Sequence, residues 1–212
     1  MDDYFLVDII IKGGILMWPI MLCSVIGLAI IIERIFALRR ASIDTREFMD
    51  VMRQMLRQNR IREAIEICEE TQVPVARIMK AGILKHNRSK EDIREALEDA
   101  GRFEIPRLER YLSALATCSN IAPLLGLLGT VQGLIKAFAQ IQLKGGQVKP
   151  SDLAEGVGNA LITTAAGLTV AIPIIVIYDY FVTRVDGMVL EMEMSSSELI
   201  ELLTRHHGER EI

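Results

Sequence analysis

Two threonines, Thr130 and Thr164, are the residues best suited by type and position to do chemistry inside an apolar phase. A hydroxyl brings one donor and two acceptor lone pairs, so it can pass on or accept a hydrogen bond without ionising. Thr130 stands six residues before Lys136, and Thr164 eight residues after Gly156. At the helical rise these are about 9 and 12 Å, so the two hydroxyls reach a similar depth where one helix rises outward and the other descends. A single threonine in a helix ordinarily bonds its own helix's carbonyl, and the shared depth is what sets this pair apart.

What is missing around them is as informative. Gly13 to Ile32 (20 residues), Tyr111 to Ile135 (25) and Gly156 to Tyr178 (23) contain no Asp, Glu, Lys, Arg or His. Proton relays in membranes are ordinarily marked by ionisable side chains. Here the nearest carboxylates, Glu155 and Asp179, sit at the ends of the third run. A proton machine built from this chain must therefore take its titrating group from a partner. Gly126-Leu-Leu-Gly-Thr-Val-Gln-Gly lacks the Lys-Ser/Thr ending of a phosphate loop. His86, His206 and His207 have no metal-ligand companions. No nucleophile and base stand at catalytic spacing, so neither an enzyme, a metal site nor a cofactor is expected.

The elements that must position the threonines follow from the same runs, each long enough as a helix to cross the roughly 30 Å hydrocarbon core. Mean hydropathy is +0.29 although 25% of residues are charged, so the two classes are segregated along the chain. The first run is preceded by Asp2, Asp3 and Asp8 and followed by no small-residue cleavage site, so it is expected to stay in the membrane and not to be a cleaved signal peptide. Glu33 to Arg110 holds 17 of the 24 Lys and Arg residues, placing it on the cytoplasmic side. The expected architecture is an all-α membrane protein of three transmembrane helices with long cytoplasmic helical extensions. Its parts are a periplasmic segment 1–12, spans at 13–38, 111–139 and 153–178, a cytoplasmic helical domain 39–110, a periplasmic loop 140–152 and a cytoplasmic helix 179–212. The 17 basic residues of the cytoplasmic region face 15 acidic ones, which leaves no nucleic-acid footprint. Cys23, Cys68 and Cys118 are read as packing residues without disulfides.

Between the first two spans, apolar residues recur three or four apart at Phe48, Met52, Met55 and at Ile61, Ala64, Ile65, Cys68, predicting amphipathic helices interrupted near Pro74. Ser89 reads as an N-cap with Glu91 and Asp92 in the first turn. From there one long helix, kinked at Pro106, is expected to continue into the second span. Beyond Tyr178 a stripe of Val185, Met188, Val189, Met192, Leu199 and Leu202 predicts a packing face on a continuing helix. The second and third spans are rich in small residues (Gly126, Gly129, Gly133; Gly156, Gly158, Ala160, Gly167, Ala171), which permit close helix approach, so both are expected to face protein and the Ile-rich first span lipid.

At Ala122-Pro-Leu-Leu-Gly-Leu-Leu-Gly-Thr-Val-Gln-Gly and Asn159-Ala-Leu-Ile-Thr-Thr-Ala-Ala-Gly-Leu-Thr-Val-Ala-Ile-Pro173 the sequence resembles the MotA/TolQ/ExbB proton channel family, and its three spans make it most similar to the ExbB and TolQ members. The resemblance implies a homopentamer in the bacterial inner membrane. It would enclose two copies of a single-span ExbD/TolR-like protein whose Asp titrates, with a TonB- or TolA-like protein as a possible third component. It places the family's polar positions at Thr130 and Thr164, with Pro123 and Pro173 shaping the helices. Where ExbB and TolQ carry Glu five residues before the second threonine, this sequence has Asn159, an amide that hydrogen-bonds but does not titrate. Glu155, one turn earlier, shares its helix face. A motor for gliding or another envelope process, and an uncoupled scaffold of the same fold, are the alternative readings.

Overall fold

The computed structural model describes residues 13–143 and 150–208. The expected segment 1–12, and Lys144 and Lys149 of the expected loop, lie outside the described residues. Among the described residues, a single 3-10 turn, Gly14–Leu16, is followed by seven α-helices: α1 Met17–Ala41, α2 Thr45–Arg57, α3 Ile61–Glu70, α4 Pro74–Leu84, α5 Lys90–Leu108, α6 Leu112–Leu143 and α7 Pro150–Gly208. Among the described residues there are no strands, and three helices are long and apolar enough to cross a membrane. The chain forms two compact units, one from residues 1–32 and 111–180, the other from 33–110 and 181–212.

The helix boundaries follow local chemistry. Asp44 caps α2, its carboxylate accepting from the Arg46 and Glu47 amides at 3.0 and 3.2 Å. Pro74 occupies the first turn of α4, where its missing N–H costs nothing. Ser89 and Asp92 form a reciprocal capping box at the start of α5, with Asp92 N–H to Ser89 Oγ at 3.1 Å and Ser89 N–H to Asp92 Oδ2 at 3.2 Å.

The continuous helix expected from Ser89 into the second span is not formed. Pro106 lies inside α5, yet the helix ends two residues later at Leu108 and restarts at Leu112, with Tyr111 at φ 64° between them. A left-handed residue ends a helix whatever its side chain, although it is costly for a non-glycine. What satisfies the terminal carbonyls is Arg34, only 3% exposed, whose guanidinium donates to Leu108 O at 3.1 Å and Arg107 O at 3.4 Å. α6 runs on to Leu143, and α7 begins at Pro150.

In the unit of residues 33–110 and 181–212, the predicted stripe on α7 is core. Val185, Met188, Met192 and Leu199 are buried, together with Met52 and Leu56 of α2, Met79 and Ile83 of α4 and Leu97 of α5. A Cβ on Gly82 would stand 2.7 Å from Leu97 Cδ2 and 2.9 Å from Leu199 Cδ2, so glycine there lets α4, α5 and α7 converge. The buried Glu104 carboxylate is paired from two sides, by Arg77 at 2.5 Å and Arg107 at 3.0 Å, which is the condition for retaining such a charge in a core.

Candidate functional site

In the other unit, α6 and α7 pack along a ladder of small residues. A Cβ on Gly126 would meet Thr164 Cα at 2.9 Å, on Gly129 Thr163 Cγ2 at 2.5 Å, and on Gly133 Ala160 Cβ at 2.6 Å. On Gly167 it would meet the Ala122 carbonyl oxygen at 2.5 Å, and on Gly156 Ala137 Cβ at 3.1 Å. As α6 numbers rise the α7 numbers fall, so the helices are antiparallel and their backbones touch. The first span joins at Gly27, where an added Cβ would lie 2.6 Å from Ile174 Cδ1. The glycines of α6 are thus spent on the chain's own α7. The opposite faces of both spans are apolar and uncovered within the chain, at Leu124, Leu127, Ile135 and Phe138 on α6 and Leu161, Ile172 and Val176 on α7.

That close approach brings Thr130 and Thr164 together, Oγ1 to Oγ1 at 3.3 Å. Thr164 Oγ1 donates across the helix pair to the Gly126 carbonyl at 2.8 Å, reachable because Gly126 has no side chain in the way. Thr130 Oγ1 donates to the Leu127 carbonyl of its own helix at 2.7 Å. In the contact between the hydroxyls either atom can be the donor, so each proton can go to a carbonyl or to the other hydroxyl. With both protons on the carbonyls, the pair offers lone pairs to a hydronium, a water or a protonated carboxyl.

Asn159 is partly exposed on α7, and its backbone carbonyl accepts from Thr163 Oγ1 at 3.2 Å. Thr163 also lies 3.2 Å from the Gly13 carbonyl, so one proton is shared between two acceptors. In the sequence Thr163 stands only as one position of the second motif. Its 2% exposure and fit against Gly129 make it the polar plug of the α6–α7 contact, signalled only by the antiparallel register of the glycines with the Thr163-Thr164 pair. The Glu155 side chain lies outside the described residues. Pro123 and Pro173 sit inside α6 and α7, partly and well exposed, leaving the carbonyls of Ser119 and Thr169 without the usual helix donor. Among the described residues no group of three His, Cys, Asp or Glu side chains is placed to hold a metal ion.

Residues 70–194 match the MotA/TolQ/ExbB proton channel family. A Synechocystis protein named as an ExbB-like biopolymer transport protein is 35% identical over 182 residues, covering 84% of this chain and 71% of its own. The biopolymer transport protein exbB1 of Vibrio cholerae is 31% identical over 165 residues, 76% of this chain and 72% of its own. The Tol-Pal system protein TolQ of Haemophilus influenzae is 30% identical over 197 residues, 85% and 86% of the two chains.

Proposed function

This chain belongs to the MotA/TolQ/ExbB proton channel family, and from that membership we propose that it is the shell subunit of a proton-driven motor in the bacterial inner membrane. Five copies enclose two copies of an ExbD/TolR-like single-span protein, and the partner's Asp carries the proton. Inflow turns one component against the other, and a TonB- or TolA-like protein transmits the work in systems of that type. The chain is not an enzyme. Its N-terminus is periplasmic and its C-terminus cytoplasmic, as the distribution of Lys and Arg supports.

The observation that carries this reading is the hydroxyl pair of Thr130 and Thr164, polar groups brought together in spans without an ionisable group. Such a pair can accept from a protonated partner carboxyl or, by rotation of a hydroxyl, donate to the ionised one. Asn159 in the usual Glu position favours a second reading, an uncoupled scaffold of the same fold.

Co-reconstitution decides between them. The chain is expressed with the single-span, Asp-bearing protein encoded beside it, placed in liposomes, and proton entry followed with a pH dye. Flux is expected only with both proteins present. It should fall roughly tenfold or more in Thr164→Val, the scale of losing one hydrogen bond to a charged or reacting group, with the mass of the complex unchanged. Undiminished flux in the variant removes Thr164 from the path; a stable complex without flux in any form supports the scaffold.

A further inference from the structure

In the unit of residues 33–110 and 181–212, α2 and α7 flank a cleft of about 730 Å³. The Thr45 hydroxyl donates to Glu191 at 2.6 Å near one end of it and Arg53 pairs with Glu198 at 2.5 Å near the other, so the two helices run parallel. Between these contacts Ser195 of α7 lines the cleft and is only 4% exposed. The next two serines turn back on their own helix, Ser196 Oγ donating to the Met192 carbonyl at 2.7 Å and Ser197 Oγ to the Glu193 carbonyl at 3.0 Å. Ser195 makes no such bond, and among the described residues its hydroxyl has no hydrogen-bond partner. A buried hydroxyl is ordinarily paired, so one left open to a cleft calls for a partner from outside the chain.

The charges around Ser195 say which partner. Four carboxylates line the cleft, Asp44, Asp50, Glu191 and Glu198, against two guanidiniums, Arg46 and Arg53. Arg53 serves two of the acids at once, Asp50 and Glu198, each at 2.5 Å. Asp44 and Glu191 accept only from uncharged donors, the Arg46 and Glu47 amides and the Thr45 hydroxyl, and so keep their charge. Arg184 donates to Ser42 and does not line the cleft, which stays negative with Arg46 counted in. Among the described residues no three carboxylates are grouped to hold a metal ion, so the negative charge is spread along the cleft. That distribution suits a long side chain with several donors at its tip, an arginine or a lysine. Ile43 and Met194, the latter 64% exposed, add apolar surface to the lining, which a polyamine would leave unused and a peptide covers with the neighbour of its basic residue. We infer that the α2–α7 cleft docks a basic segment of a partner protein, with an Arg or Lys donating to the Ser195 hydroxyl and to the carboxylates around it.

The probe is the peptide acetyl-Gly-Arg-Leu-Arg-Gly-amide against acetyl-Gly-Gln-Leu-Gln-Gly-amide, each titrated by calorimetry into the full chain in nanodiscs of phosphatidylcholine. The arginine peptide is expected to bind roughly tenfold or more tightly, the scale of hydrogen bonds from a charged donor. Ser195→Ala should weaken it by roughly tenfold and leave the thermal midpoint in place, because that hydroxyl bonds nothing within the described chain. Glu191→Gln keeps an acceptor for Thr45 and should weaken it roughly two- to fivefold, the range for a charge pair in contact with water. Glu66→Gln, an exposed acid of α3, should change nothing. Equal or undetectable binding of the two peptides, or binding unchanged in the folded cleft variants, overturns the inference. A midpoint lowered by Ser195→Ala makes the hydroxyl structural and overturns it as well. Spermidine bound as tightly as the arginine peptide would make the cleft a polyamine site and likewise overturn it. Peptide binding is read without ion flux, so it stands or falls separately from the motor.

Discussion

Gly129 and Thr163 face each other across α6 and α7 so closely that a Cβ on the glycine would stand 2.5 Å from Thr163 Cγ2 and 2.7 Å from its Cβ. The contact lies inside one chain, so a large residue at 129 acts on the chain's own α6–α7 pair. Gly129→Leu is expected to destabilise the folded protein by about 3 kcal/mol or more, at or above the usual range for overpacking, because the buried, β-branched Thr163 side chain stands in the way. Thermal unfolding in detergent measures it. Thr163→Ala in the same chain should recover part of the loss for the smaller Gly129→Ala; absence of any recovery would mean that the two residues do not limit the approach.

Arg34 provides a second test, of how α5 ends. Its guanidinium serves the Leu108 and Arg107 carbonyls and is neutralised by Glu33 at 2.5 Å. Arg34→Met keeps the apolar stem and removes the donors, leaving buried carbonyl oxygen unpaired at about 1–3 kcal/mol. Backbone amide exchange around residues 105–112 should accelerate, with a lower unfolding midpoint. Exchange unchanged in that segment would show that the break at Tyr111 is held by other contacts.

These two residues mark the limit of what the sequence discloses. The Ser89 cap, the Pro74 start and the buried Val185, Met188, Met192 stripe are legible because their signals lie within one or two helical turns. The end of α5 is not, because the left-handed position is a tyrosine instead of glycine or asparagine, and the capping donor is 74 residues away along the chain. The small residues of α6 announce close packing. Composition alone does not say whether the neighbour is the same chain's α7 or another copy, and the pairwise fit of Gly126, Gly129 and Gly133 to residues 160–164 answers it. Thr130 and Thr164 could be placed at one depth by counting residues, but the direction of their hydrogen bonds depends on the backbone approach at Gly126.

Cys68 tests the core of the helical unit through its acidity. Burial against α2 and α4, with its Sγ 3.8 Å from Met52 Sδ, pushes the thiol up to about 11. The folded state therefore keeps the proton where an unfolded thiol, near 8.5, begins to lose it. The stability from this group is complete below about pH 8.5 and is lost as pH rises from there toward 11. At neutral pH iodoacetamide should modify Cys68 at least about a hundredfold more slowly than a free thiol, since both thiolate and access are scarce. Peptide mass spectrometry after timed labelling reads this, and labelling at the free-thiol rate would place Cys68 outside the core.

The last expectation concerns Asn159, which stands where ExbB and TolQ carry a glutamate and is partly exposed on α7, one turn before Thr163. Its carbonyl is engaged by Thr163 Oγ1, so a change of side chain leaves that backbone contact in place. A carboxylate set against lipid costs about 2.5–3.5 kcal/mol at a helix centre on insertion scales and less toward the end of the span, where Asn159 stands three residues after Gly156. Next to water or polar groups the same carboxylate is accommodated. If Asn159 adjoins the ion path, Asn159→Glu inserts and assembles, and its proton flux acquires a pH step that an amide cannot have. Asn159→Leu then assembles, because the volume is retained, and loses flux because the hydrogen-bonding group is gone. Complex yield by size exclusion and flux across pH in liposomes separate the cases. Failure of the Glu variant to assemble together with full activity of the Leu variant would put Asn159 on a dry packing face, and the polar path would then rest on Thr130 and Thr164.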